Sequence, residues 1–171
     1  MVGTRSLRLG AAALTASVSV LAATVAEAAL PRAGIVVPGK SLGGLALGAT
    51  FAHVRAAWGA RFGVCRDCRE PTWYFNYRPF EPQGAGVSFR HGRAVALFTL
   101  WSPQEWHTDR GLRIGDGAER IGNLYGALLS VNCGTYSAST IRRGRTTTAI
   151  YVVGRQIWGF GLLSLGEQVC R

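Results

Sequence analysis

Lysine is nearly missing from this sequence. Of 19 basic residues in a chain of 171, Lys40 is the single lysine and the rest are arginine. Acids are few as well, nine in all and scattered, so paired carboxylates for general acid–base work are poorly supported. Histidine is scarcer still. His53, His91 and His107 lie far apart in sequence, and a triad needs a base beside serine or cysteine with a supporting acid. The run Trp106-His107-Thr108-Asp109 could hold an imidazole next to a carboxylate, but an exposed polar loop explains it equally well. No glycine-rich phosphate loop follows a strand pattern. The expectation is a protein with no catalytic residue, no metal and no cofactor.

What is present begins with an export signal. Arg5 and Arg8 precede an uncharged, small and apolar run over residues 9–26, and Ala26-Glu27-Ala28 offers the small residues a signal peptidase reads. Residues 1–28 are therefore expected to be a secretory signal peptide. No charged stop-transfer cluster follows, so no membrane span is expected after cleavage. There is no cysteine at the cut for a lipid anchor, and no twin arginine, which favours export unfolded. The remaining residues suit one domain. They keep 17 basic and eight acidic side chains. An exported chain of that charge meets anionic wall polymers, lipid headgroups or acidic proteins; nucleic acid is disfavoured as a partner. The densest cationic group, Arg142-Arg143-Gly144-Arg145, reads as a solvated hairpin turn or as an anion site.

The organising feature is a doubled stretch. Residues 45–59 have a counterpart 67 positions later in residues 112–126, with Gly48 matching Gly115, Val54 matching Ile121, Trp58 matching Tyr125 and Gly59 matching Gly126. In the first, Thr50 caps a short helix whose Phe51, Val54 and Trp58 share a face, and Gly59 ends it. In the second, Asp116 and Glu119 resemble a capping box, with Ala118, Ile121 and Tyr125 as the buried face. Each is followed by alternating, aromatic or β-branched runs: residues 73–78, 86–91 and 93–101, then 136–142, 146–153 and 155–163. The last two strands of each set align at an offset of 62, through Gly92 and Gly154, which puts Phe98 on Phe160 and Leu100 on Leu162.

These patterns predict an α+β fold: a tandem duplication of a short helical unit followed by a three-stranded antiparallel meander, with helices on one face of the sheet. The organisation is a tail over residues 29–41 with a short edge strand at Ile35-Val36-Val37, one repeat over 42–104, and a second over 105–171 in the same domain. Residues 102–111 are the linker between copies. Four cysteines, an even count in an exported chain, imply disulfides. Of the three pairings, one bridge per repeat gives Cys65–Cys68 and Cys133–Cys170.

Function then belongs on the sheet face turned away from the helices. Ala96, Phe98 and Leu100, with Trp158, Phe160 and Leu162, are expected beneath the helices. That leaves Leu97, Thr99, Gly159 and Gly161 on the open side, where the glycines let a partner's loop approach or mark a bend. Trp73, Phe75 and Tyr77 pack inward, so Tyr74 and Arg78 face outward as interface anchors. Trp101 and Trp106 flank the linker and are expected to be solvent-exposed.

The pairs Leu47-Gly48 and Ile114-Gly115, Val54 and Ile121, and Trp58-Gly59 and Tyr125-Gly126 carry a resemblance. A helix unit and sheet, doubled in a small exported chain, resembles the secreted β-lactamase inhibitory proteins and the related SmpA/OmlA, BamE-like modules. That resemblance implies a sheet surface that grips a target enzyme. The sequence departs from it in lacking a lipid-anchor cysteine and in the narrow Cys65-Arg-Asp-Cys68 loop. The resulting expectation is a secreted, disulfide-stabilised, non-enzymatic module that docks or inhibits an extracellular protein through Tyr74, Arg78, Trp101, Trp106, Gly159 and Gly161. The alternatives are a cationic envelope protein bound to anionic polymer, and a secreted thiol–disulfide factor using Cys65 and Cys68.

Overall fold

The computed structural model describes residues 29–65, 67–75 and 84–171; the signal segment 1–28, Tyr77 and Arg78 lie outside these. The strands assemble into two sheets. The larger has eight antiparallel strands in the order β3-β4-β5-β6-β11-β10-β9-β8. One half of it is β3 (Gly63–Cys65), β4 (Thr72–Phe75), β5 (Gly84–Arg90) and β6 (Arg93–Leu100). The other half is β8 (Leu129–Asn132), β9 (Ser137–Arg143), β10 (Thr146–Val153) and β11 (Gln156–Ser164). The halves meet along one seam, where residues 96–100 of β6 pair with 159–163 of β11. A smaller sheet places β1 (Ala33–Val37) between β2 (Ser41–Leu42) and β7 (Glu105–Thr108), the last pairing being parallel.

This overturns the α+β expectation and its tandem helical units. The chain is mostly β, and its helices are two turns each: α1 (Phe51–Trp58) and α2 (Glu119–Tyr125). Four strands, not three, form each half of the large sheet. The additional strands are short and sit at its edges, where β3 carries Cys65 and β8 runs into Cys133, so local composition did not mark them. The segment read as a linker contains β7, and the segment read as an edge strand is the middle of the small sheet. Parallel pairing between residues some seventy positions apart leaves no local signature.

The helices are short because each covers only one patch of sheet. In α1 the Thr50 hydroxyl accepts from His53 N–H at 3.2 Å, and Gly59 stops the helix at φ 91°, a conformation that costs glycine little. Val54 and Trp58 are fully buried. In α2 the capping box does not form. Asp116 instead accepts from Arg113 N–H and from the Arg120 guanidinium, both at 2.7 Å, and Ala118 is the N-cap without a side-chain bond.

The main core lies between these helices, the small sheet and one face of the large sheet. Trp58 meets Phe75 and Trp106 edge-on, with ring centroids 5.4 and 5.5 Å away, while Trp73 stacks on Phe62 at 3.9 Å. The indole N–H groups are satisfied by backbone, Trp58 donating to Gly43 O and Trp106 to Pro31 O, each at 2.8 Å.

The two long hairpins correct the predicted faces. Gly92 is the second residue of its two-residue turn, closed by Arg90 and Arg93; Gly154 is the first of its turn, closed by Val153 and Gln156. His91, at φ 51°, takes the conformation that Gly154 takes at φ 58°. Matching the glycines therefore slips the alignment by one residue, and a one-residue slip exchanges faces. Leu97 faces the main core together with Phe160 and Leu162, whereas Ala96, Phe98 and Leu100 lie on the opposite face with Tyr151 and Leu163.

Candidate functional site

The face away from the helices is not bare. Residues 165–171 leave β11 and run back across it as a strap. Cys170 is bonded to Cys133, with Cα atoms 5.4 Å apart. Tyr151 donates its hydroxyl to Val169 O at 3.0 Å, and Tyr136 donates to Arg171 O. Burial favours the neutral phenol and pushes the Tyr151 pKa up. The strap is thus held by one covalent bond and by the hydroxyls of Tyr151 and Tyr136.

Glycines let this face close tightly. A side chain at Gly86 would strike the Phe98 ring, which lies across it, and one at Gly161 would strike the Tyr151 ring and hydroxyl. At Gly159 the obstacle is the Thr99 carbonyl on the neighbouring strand of the seam. Gly159 and Gly161 do sit on the predicted face, but the protein's own strand and tyrosine occupy the space that a partner's loop was expected to fill. Gly161 was read for close approach; the approaching group is internal.

Beside the strap the face stays concave. A cavity of about 280 Å³ opens between β4–β6, the loop after the first disulfide, and the strap. Its floor includes Tyr74, Gly84, Phe98 and Leu100; its walls include Arg69, Glu70, Glu167 and Arg171. Tyr74 and Phe98 meet edge to face at 5.9 Å, and the Arg171 guanidinium lies 5.6 Å above the Phe98 ring. Thr72 and Ser88 share a buried hydroxyl hydrogen bond of 2.9 Å at one end.

Charges fix the walls to each other. Arg90 reaches Glu70 through two nitrogens, at 3.0 and 2.8 Å, and also pairs with Glu167 on the strap. Hydrogen bonds and attraction from these carboxylates hold the Arg90 pKa above its ordinary value. One guanidinium therefore couples the disulfide loop to the strap across the sheet. Arg171 makes a looser approach to Glu167, at 4.0 Å. Its Nε and Nη2 are buried without a hydrogen-bond partner among the described residues.

The predicted site residues separate on this geometry. Tyr74 lines the cavity. Trp106 is fully buried, its ring pressed against Gly34 and Gly43, so the expected exposure is wrong and the residue belongs to the core. Trp101 is half-buried and packs against the main core, while its backbone N–H donates to Trp158 O across the seam. Cys65 and Cys68 form a disulfide between two strands, β3 and β4, with Cα atoms 5.6 Å apart. Cys65 ends a strand and does not stand at a helix N-terminus that would stabilise a thiolate. Cys133–Cys170 completes the pairing expected from one bridge per half. Sequence reasoning missed Glu70, Arg90, Phe98, Glu167 and Arg171. The usable signal was Cys170, since a bridge to Cys133 must lay the neighbouring residues along the sheet.

The histidines are dispersed over α1, the β5–β6 turn and β7. Among the described residues no three His, Cys, Asp or Glu side chains cluster as metal ligands. No helix there is long and apolar enough to cross a membrane.

No family model matches the chain, and no curated protein matches it. Among solved structures it is similar to an extracellular protein containing an SCP domain from Bacillus anthracis, with 11% identity over 69% of this chain and a TM-score of 0.46. This chain spans 44% of that protein. It is also similar to a DUF4309 family protein from Bacillus subtilis, with 17% identity, 68% of this chain and 78% of that one covered, and a TM-score of 0.47. Neither likeness assigns an activity. The mostly β architecture, without tandem helical units, does not support the resemblance to β-lactamase inhibitory proteins and BamE-like modules.

Proposed function

We propose that this chain is a non-enzymatic binding module that works outside the cell and receives a protein partner in the cavity beside the strap. Two disulfides fit an oxidising compartment. The observation that carries the reading is the construction of the cavity. Tyr74, Phe98 and Leu100 give it an apolar floor, and residues from two separate stretches of chain, tied by Arg90, give it charged walls. At about 280 Å³ it falls at the small end of ligand pockets, matched to one inserted side chain. An aromatic or aliphatic anchor entering a desolvated pocket ringed by polar groups is the usual form of an interface hot spot.

The test is capture from culture supernatant followed by titration of the captured partner against variants. Tyr74→Ala removes part of the floor, and Gln168→Arg crowds the mouth from the exposed strap. Each is expected to weaken binding about thirtyfold or more, the scale of a hot-spot residue, with an unchanged circular dichroism spectrum. Full binding by both variants would refute the assignment of the partner site to this cavity.

A further inference from the structure

A second surface is assembled on the far side of β9. Arg142, Arg143 and Arg145 surround the β9–β10 turn, and all three are exposed. The fold brings two more cations to them. Gly39 packs on the Arg143 side chain so closely that a β-carbon there would lie 2.8 Å from Arg143 Cβ and Cδ, and Lys40 follows it. Gly39 N–H donates to Thr148 Oγ1 at 2.8 Å, which fixes that turn on β10. Arg110 lies 5.1 Å above the Tyr125 ring and donates to Leu124 O. Burial is the main reason the Tyr125 pKa is raised; Asp109 adds to it, while Arg110 and Arg143 both act to lower it.

Lys40, Arg142, Arg143 and Arg145 thus gather at two adjoining turns, and Arg110 acts with Arg143 and Asp109 on the Tyr125 hydroxyl. None of the five makes an ion pair within 4.0 Å among the described residues. Three of the acids are paired elsewhere, Glu70 and Glu167 with Arg90 and Asp116 with Arg120. Charges of one sign held together by separate parts of a fold repel one another, and an anion relieves that repulsion.

We propose that this surface binds a linear polyanion carrying phosphodiester or phosphoanhydride groups in series. Four of its five cations are arginine, whose planar fork pairs with phosphate through two hydrogen bonds. Arg142 and Arg143 are adjacent in a strand and so point to opposite faces of the sheet. A chain-like ligand can pass around that edge and meet both, whereas a flat membrane meets one face at a time. This site is separate from the cavity beside the strap, so either can stand without the other.

The experiment uses the secreted chain and long-chain inorganic polyphosphate as the probe, with monomeric phosphate and phosphatidylglycerol vesicles as parallel arms. Polyphosphate is expected to bind with an affinity that falls steeply with salt, with a log–log slope of roughly −3 for about four contacts. Arg142→Ala/Arg145→Ala and Lys40→Ala/Arg143→Ala should each weaken it, by about fivefold per cation removed. Arg61→Ala/Arg155→Ala makes the same charge change at exposed positions off the surface and should preserve most of the affinity. Equal losses in the control pair would overturn the proposal by showing that net charge alone is responsible. Vesicle binding without polyphosphate binding would overturn it in favour of a membrane surface, and binding of monomeric phosphate as tightly as polymer would rule out a serial ligand.

Discussion

The two faces of the eight-stranded sheet are closed by different means. Toward the helices, Trp58, Trp106, Phe75 and Phe89 interlock, and only their indole nitrogens need partners. On the other side, glycines alternate with aromatic rings, and the cover is a seven-residue strap fastened by a disulfide, tyrosine hydroxyls and Arg90. Burial secures the first face without any one indispensable link. The second depends on a handful of separable fastenings, so it can be loosened while the first stays intact. The cavity proposed as the partner site lies on this second face, where a change is expected to alter recognition before it alters folding.

That contrast is breakable. Trp58→Ala should have the largest effect, about 3–5 kcal/mol of lost stability in chemical denaturation, since a fully buried indole leaves both a cavity and an unpaired Gly43 carbonyl. Replacing Cys133 and Cys170 by serine opens a link of sequence separation 37, worth about 3–4 kcal/mol in the chain-entropy account. Its distinguishing outcome is local: strap amides should lose hydrogen-exchange protection while those of β4–β6 keep theirs. If both regions lose protection together, the faces are one cooperative unit and the distinction fails.

Smaller changes sharpen the same point. Gly86→Ala places a methyl group 2.2 Å from Phe98 Cζ, so the ring must tilt toward the cavity. The expected loss is about 1–3 kcal/mol by thermal melting, with a greater proportional loss of partner binding. Tyr151→Phe removes one hydroxyl bond to Val169 O, about 1 kcal/mol. It also carries a pH signature. Because burial raises the folded pKa above the unfolded value near ~10, the folded state retains a proton that the unfolded state releases. The wild-type chain should lose stability as pH rises past that value, and the variant should lose less over the same window.

Much of the first face was legible in the sequence. The Thr50 cap, the spacing of Val54 and Trp58, and the alternation that sends Trp73 inward and Tyr74 outward are all local, and local periodicity reports them. The second face was not. Turn glycines looked interchangeable, yet Gly92 and Gly154 occupy different turn positions, and that single offset turned Phe98 and Leu100 the wrong way. Trp106 was misplaced because its burial depends on Gly34 and Gly43, more than sixty residues earlier. The cavity was invisible for a similar reason: Glu70, Arg90 and Glu167 become neighbours only after the strap is laid down.

The seam between β6 and β11 has a kinetic meaning as well. Every other neighbouring pair in the large sheet joins strands consecutive in the chain, while this one brings together residues about sixty positions apart. The two meanders can zip locally, but joining them must close a long loop before the seam returns any free energy. Gly159 lies at that junction, where a methyl group would collide with the Thr99 carbonyl. A substitution there is expected to act on the rate at which the halves find each other, so refolding after a denaturant jump should slow more than unfolding accelerates.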